Sequence, residues 1–152
     1  MIDVNPISVF EHDHAELNRE VLELGSLLAA LDGAAAVGPG LAERFAALRD
    51  DLFMHFVREE EGLFPFVSTA VPDLAQEVAE LIAMHDEICG AVARMVHAAQ
   101  VGSTAAVVRA IFERFETAHA RHAVTERSVL HRIGGRLTPA QAGELAELIR
   151  GL

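Results

Sequence analysis

The chain has 152 residues, and 12 Lys and Arg against 23 Asp and Glu give it a formal charge of −11. This length suits a single domain, and the acidic balance argues against nucleic-acid binding, because contacts with phosphate need clustered basic side chains. The single Cys89 excludes an internal disulfide framework and favours a reducing, cytoplasmic setting, and neither a signal peptide nor a membrane-spanning segment is expected.

Apolar residues recur every three or four positions in four long segments, which is the pattern of amphipathic helices. Short connections between such helices make neighbours antiparallel, so we predict an all-α, up-down-up-down four-helix bundle in one domain, with a short fifth helix at the C-terminal end. The helices are predicted over residues 6–31, 41–67, 72–99, 105–133 and 139–150.

Two local features refine these boundaries. Pro65 lies near the end of the second helix, where it removes a backbone donor and predicts a kink or an end. Thr138, followed by Pro139 and Gln141, is typical of a capped helix start. The apolar residues of the fifth helix are expected to pack onto the bundle: Leu145, Leu148 and Ile149.

Polar residues interrupt the apolar stripe of every long helix. Eight histidines stand beside only 12 Lys and Arg, and several of them fall on inner faces. An unpaired carboxylate in a core is strongly unfavourable, so inward Glu residues need compensation. The inward residues are His14, His55, Glu59, His85, His119, His122 and Glu126.

Two of these helices carry a matched pair, His55 with Glu59 and His122 with Glu126. Residues four apart lie on one face of a helix, one turn apart, so each pair can converge on one point or bridge two. Imidazole with carboxylate suits iron, manganese or zinc. The sequence therefore predicts a metal site between the four helices, with His14 and His85 completing it.

The height of these ligands is a further check. Counted from the first residue of each segment, His14 lies roughly eight residues in, and the others roughly thirteen to seventeen. On this count, the first and fourth helices need adjusted ends or a staggered start.

His12 is the alternative to His14, but it lies on a polar face and is predicted to be exposed. The other predicted surface groups near the ligands or on outer faces are Asp13, Asp86, His97 and His131.

Two residues near the ligands have open roles. Four roles are open for His119, which lies three residues before His122. It could hydrogen-bond a metal ligand, line a channel, act as a seventh ligand or be a partly buried polar side chain without a role at the site. Cys89, four after His85, either faces the site or is a small buried thiol.

The segment from His55 to Pro65, His-Phe-Val-Arg-Glu-Glu-Glu-Gly-Leu-Phe-Pro, resembles the His-Phe-x-x-Glu-Glu-x-x-Leu-Phe-Pro motif of hemerythrin-like domains, the HHE cation-binding family. The resemblance covers about residues 6–133. It implies a non-haem di-iron centre, with two iron ions (Fe²⁺/Fe³⁺) joined by an oxo or hydroxo group and by Glu59 and Glu126. The implied ligands are His14, His55, Glu59, His85, His122 and Glu126.

The ligand set differs from that of the oxygen-carrying hemerythrins. Cys89 stands where they have a further His, and the last helix has a His-to-Glu spacing of four instead of a His-to-Asp spacing of five. The set is more similar to that of iron-centre repair proteins and of the eukaryotic iron-sensing domain.

The resemblance thus implies a protein that binds, senses or reduces O₂, NO or peroxide, with possible catalase- or peroxidase-like activity and a role in oxidative or nitrosative stress. The alternatives are an iron-sensing or iron-storage module and a metal-free helical bundle that binds a protein partner. A ferritin-like carboxylate protein is a further class, since Glu11 and Glu116 each lie three residues before an inward His.

Overall fold

The computed structural model describes residues 5–151. Within that range the chain is 86% helical and contains no strand, which confirms the all-α prediction. The helices are α1 (Pro6–Ala29), α2 (Pro39–Arg58), α3 (Phe64–Ala70), α4 (Ala75–Gln100), α5 (Ala105–Gly134) and α6 (Pro139–Arg150). A π-helical turn, Glu59–Leu63, joins α2 to α3, and a 3₁₀ turn, Pro72–Leu74, precedes α4.

The four long helices form the bundle, in which α1 contacts α2 and α5 while α4 contacts α2 and α5. Cross-helix contacts such as Arg44 with Glu23 and Arg132 with Glu77 have the antiparallel register expected for neighbours joined by short loops. At one end, the α1–α2 and α4–α5 loops meet in a single bridge between Ala36 and Thr104.

Arg109, in the first turns of α5, ties that same end of the bundle together. Its guanidinium donates to the carbonyl of Leu28 at 2.9 Å and 3.1 Å, and to those of Ala29 and Leu31. These carbonyls belong to the last turn of α1 and the residues after it, where intrahelical donors are lacking. The cation at this C-terminal end is also favoured by the helix dipole.

The helix breaks earlier than Pro65 alone predicts. Pro65 lies in the first turn of α3, where a missing N–H costs nothing, and the irregular turn precedes it. Phe64 donates its backbone N–H to the carbonyl of Glu59, five residues back. The backbone thus widens by one residue before the proline ring, and such π turns frequently mark functional sites.

The fifth predicted helix is α6, and Thr138 and Gln141 form its capping box. It contacts α1 and the π turn. Leu145 is fully buried and Ile149 is partly buried. Leu148 departs from the prediction, because its side chain faces solvent and is 47% exposed.

The core is divided into two apolar clusters. The larger cluster lies toward the α1–α2 loop and includes Leu24, Phe45 and Phe112. The smaller one lies at the opposite end, among α3, α6 and the adjoining turns of α1, α4 and α5, and includes Phe64 and Leu81. The inward polar residues of the four long helices lie between these two clusters.

Candidate metal centre

The six predicted ligands come from the four long helices and the π turn, and they lie at a common height. Counted from the end that holds the α1–α2 loop, His14, His55, His85 and His122 are all about 15 to 17 residues from a helix end, a spread of about 3 Å at 1.5 Å per residue. The staggered start predicted from the sequence is therefore not needed. That prediction counted depth from the N-terminal end of every helix, whereas α1 and α4 run in the opposite direction and their depth must be counted from their C-terminal ends.

The first group of donors joins α1, α2, α5 and the π turn. Nε2 of His14 lies 2.9 Å from Nε2 of His55 and 3.0 Å from Oε2 of Glu126. Nε2 of His55 lies 2.9 Å from Oε1 of Glu59. All four residues offer a ligand atom within 4.8 Å of one another.

The second group lies beside it and shares Glu59. Nε2 of His85 is 2.8 Å from Nε2 of His122 and 3.5 Å from Oε1 of Glu59. Glu126 also approaches this group, with Oε2 3.4 Å from Nε2 of His122. Glu59, His85 and His122 form a set of three possible ligands.

The carboxylates are buried without the partners that a folded protein normally supplies. Glu59 and Glu126 are both 0% exposed, and none of their four oxygens meets hydrogen-bond geometry within residues 5–151, where the polar atoms that approach them are imidazole nitrogens. Lone pairs of nitrogen and oxygen that face one another at about 3 Å repel unless a proton or a metal ion lies between them. Ligand atoms at right angles, each about 2.1 Å from one ion, would also be about 3 Å apart. The residues present therefore fit a metal site.

Carboxylates approach two of the imidazoles from outside the donor groups. Oε2 of Glu60 lies 3.2 Å from Nδ1 of His85, and Oδ2 of Asp13 lies 3.7 Å from Nδ1 of His55. A carboxylate at hydrogen-bond distance, as Glu60 is, orients a metal-binding imidazole and makes it more basic. Asp13 lies beyond that distance from His55. The sequence analysis did not single out Glu60, and it placed Asp13 on the surface, whereas Asp13 is half-buried. Its position one residue before an inward His was the only available signal.

Two aromatic rings cover His85. Phe56 stacks on it with a centroid distance of 3.8 Å and an interplanar angle of 16°, and Phe64 stacks at 5.5 Å. Both Phe residues belong to the motif that begins at His55, and both are buried. They exclude water from the second group of donors.

Burial and neighbouring charge shift the ionisation of these groups. Burial lowers the pKa of His14 to about 4 and that of His122 to about 3. Burial also acts to lower the pKa of His55, but its polar contacts with Asp13 and Glu59 prevail and raise it to about 9. Burial acts to raise the pKa of Glu59, but His55 and His85 prevail and lower it to about 2. Without a metal, His55 and Glu59 form an ion pair.

The remaining candidates lie outside both donor groups in residues 5–151. His119 is buried near the first group, and burial lowers its pKa to about 4. Cys89 is partly exposed, and burial together with Glu60 and Asp86 raises its pKa to about 11. The surface residues are exposed as predicted: His12, Asp86, His97 and His131. Glu11 and Glu116, which a ferritin-like site would need inside, are exposed as well.

Comparison with family models identifies the domain. The model described as the hemerythrin HHE cation binding domain matches residues 5–133, which is most of the chain. The chain belongs to the hemerythrin HHE cation-binding family. Neither the curated proteins nor the solved structures gave a significant match. The match to the family model ends within one residue of the end of α5, so α6 of this hemerythrin-like domain lies outside the matched region.

No helix of the hemerythrin-like domain within residues 5–151 combines the length and apolar character that crossing a membrane requires.

Proposed function

We propose that this hemerythrin-like domain holds two iron ions between its four long helices and uses them, in the cytoplasm, to bind, sense or reduce a small oxidant such as O₂, NO or peroxide. The observation that carries the proposal is the pair of convergent donor groups joined at Glu59. His14, His55 and Glu126 complete the first group, and His85 and His122 complete the second.

The donor chemistry is compatible with iron. Imidazole and carboxylate together suit iron, manganese and zinc, and mixed sites of this kind in helical bundles are typical of redox-active pairs of ions. Six protein ligands shared between two ions leave coordination positions free. When bound, the two irons would supply one-electron redox steps and positions for a small molecule.

The residues of the chain divide the remaining work. His55 must lose its proton before its Nε2 can bind a metal, and Asp13 supplies a negative charge 3.7 Å from its Nδ1. Glu60 orients the ring of His85 through Nδ1. Glu59 and Glu126 provide the negative charge that compensates the cations in a buried site. Phe56 and Phe64 keep bulk water away from His85.

Metal content tests the proposal directly. Protein purified from iron-replete cells is expected to contain about two irons per chain and to absorb visible light. His55→Ala and Glu59→Ala are expected to lose both features, because each removes a donor that the first group needs. His97→Ala and Glu61→Ala are matched controls, since both residues are exposed. A wild-type chain that binds no iron, manganese or zinc, and is equally stable after chelation, contradicts the proposal.

Turnover separates an enzyme from a binding protein. If the iron-loaded domain degrades peroxide, oxygen release will accompany peroxide loss in a catalase-like reaction. Peroxide loss that needs an added electron donor indicates a peroxidase-like reaction. Stable spectral changes with O₂ or NO, without turnover, support binding or sensing.

A further inference from the structure

A cavity of about 360 Å³ lies between α1 and α5 and reaches the donor groups. Three predicted ligands form its floor: His14, His55 and His122. His14 is the most open of them, with a side chain that is 21% exposed, whereas the other two are 4% exposed. His14 and His55 belong to the first donor group, whereas the second group contributes His122 but not His85 to the lining. A molecule that enters between α1 and α5 therefore meets chiefly the first donor group.

The wall of the cavity carries one buried polar side chain besides its floor. His119 is 8% exposed and lines the cavity on the α5 side. Its ring stacks on Phe115, with a centroid distance of 5.7 Å and an angle of 20° between the planes. This contact holds the imidazole in one plane.

None of the hydrogen bonds among residues 5–151 involves His119, and its two neighbours in the cavity, His14 and His55, contact each other instead. The ring nitrogens of His119 are not sealed in the core and remain accessible from the cavity. The other buried residues of the wall, such as Leu52 and Leu130, are apolar and offer it nothing. A ring in this position is suited to a partner that enters the cavity.

We propose that the cleft between α1 and α5 is the route by which a small molecule reaches the first donor group, and that His119 is the positioning residue that hydrogen-bonds it there. The inference rests on the proposed function, because the metal ions hold the other end of the molecule. The molecule that fits is one of two or three heavy atoms with a lone pair on its outer atom. Azide is the matching probe, and peroxide the matching oxidant.

The size of the effect follows from a single hydrogen bond. The loss of one such bond to an anion changes the affinity about tenfold, which corresponds to about 1.4 kcal/mol. In iron-loaded protein, His119→Leu is expected to weaken azide binding about tenfold. His119→Gln, which keeps a donor and an acceptor, is expected to restore most of the affinity. His97→Leu is the matched control on the surface.

Access through the cleft is tested independently, with a variant that leaves His119 in place. Ala123 lines the cavity, and Ala123→Phe is expected to slow azide association at least about tenfold, by filling the cleft. Val124, the next residue, is 66% exposed, so Val124→Phe carries the same side chain without closing the route.

The closing experiment measures iron content, azide affinity and azide association rate in the wild type and all five variants. Two irons per chain, together with weaker binding in His119→Leu and slower binding in Ala123→Phe, support the inference. Two irons per chain with unchanged azide binding in both variants overturn it, but leave the proposed function intact. A wild type that binds no metal overturns both.

Discussion

Glu60 and Glu59 are adjacent in sequence, yet they approach opposite nitrogens of the same imidazole. Oε2 of Glu60 lies 3.2 Å from Nδ1 of His85, and Oε1 of Glu59 lies 3.5 Å from Nε2. One nitrogen therefore faces the donor groups, while the other is held from outside. The π turn places both carboxylates beside α4, and His85 is oriented before any metal arrives.

Removal of the outer carboxylate is expected to weaken metal binding without removing a ligand. Glu60→Gln cancels the charge beside Nδ1 of His85, and changes of this kind typically reduce metal affinity about 10- to 100-fold. Competition with a chelator measures the affinity. Glu61→Gln, which makes the same change at an exposed neighbour, is the control. Equal metal affinity in the two variants would show that Glu60 does not orient the ligand.

The second prediction concerns the sign of a stability change at Glu126. At neutral pH its neighbours His14 and His122 are uncharged, because burial lowers their pKa to about 4 and about 3. In the metal-free protein the carboxylate then contacts no charged side chain directly within residues 5–151, because the imidazolium of His55 already pairs with Glu59. Glu126→Leu is expected to stabilise the metal-free protein by about 1–3 kcal/mol and to destabilise the metal-loaded protein, because a ligand is lost.

Urea unfolding with chelator and with iron measures both effects at Glu126. Glu116→Leu, on the exposed side of the same helix, should give the same small change in both conditions. If Glu126→Leu destabilises the metal-free protein as well, the carboxylate is compensated by protein groups and not by a metal.

The stability of the metal-free protein should pass through a maximum near pH 6.5. Burial lowers the pKa of His14, His119 and His122 in the folded chain to about 4, 4 and 3. Below pH 6.5, the unfolded chain therefore binds protons at these three residues, whereas the folded chain does not. Stability therefore falls as the pH falls toward 4. Above pH 6.5, His55 retains in the folded protein a proton that the unfolded chain has lost, so its contribution disappears as the pH rises through about 9.

Chelator-treated protein, unfolded in urea between pH 4.5 and 9.5, gives this profile. The loss on the acid side should be smaller in His119→Gln, which cannot take up the proton. With metal bound, His55 has already lost its proton, so the loss between pH 6.5 and 9 should vanish. An identical alkaline limb with and without metal contradicts the assignment of His55 as a ligand.

Arg109 is expected to contribute to stability without affecting the metal. Its guanidinium donates to carbonyls at the C-terminal end of α1, and hydrogen bonds from a charged donor contribute about 1.5–3 kcal/mol. Arg109→Met should lower the free energy of unfolding by about 2 kcal/mol while leaving iron content unchanged. Arg114→Met, at an exposed position of the same helix, should cost little.

The helices and the inward faces could be predicted because periodicity and capping residues are local signals. The boundaries of α6 match the prediction, and those of α5 differ by one residue at most. The π turn could not be predicted from Pro65, because a proline shows only that one backbone hydrogen bond of the helix is missing. Whether the backbone ends, bends or widens by one residue depends on tertiary packing, which local sequence does not specify.

The part of the candidate site that could be predicted is the set of polar residues that fall on buried helix faces. His55, Glu59, His85, His122 and Glu126 conflict with an apolar stripe, and a conflict of this kind is visible in the sequence. Glu60 and Asp13 were missed because a carboxylate that supports a ligand from outside occupies the same helix positions as an ordinary solvated one. The cavity beside His119 depends on the spacing of two helices that are far apart in sequence.

The layer of His and Glu side chains also bears on how the domain folds. It separates the apolar cluster near the α1–α2 loop from the one around α3 and α6, so the two halves share few apolar contacts through the middle of the core. A cation held by ligands from all four long helices would mechanically couple these halves. Without the metal, hydrogen exchange should show that α3 and α6 open at a lower free energy than the end of the bundle that holds the α1–α2 loop. With the metal bound, both ends should exchange with the same opening free energy, as one cooperative unit.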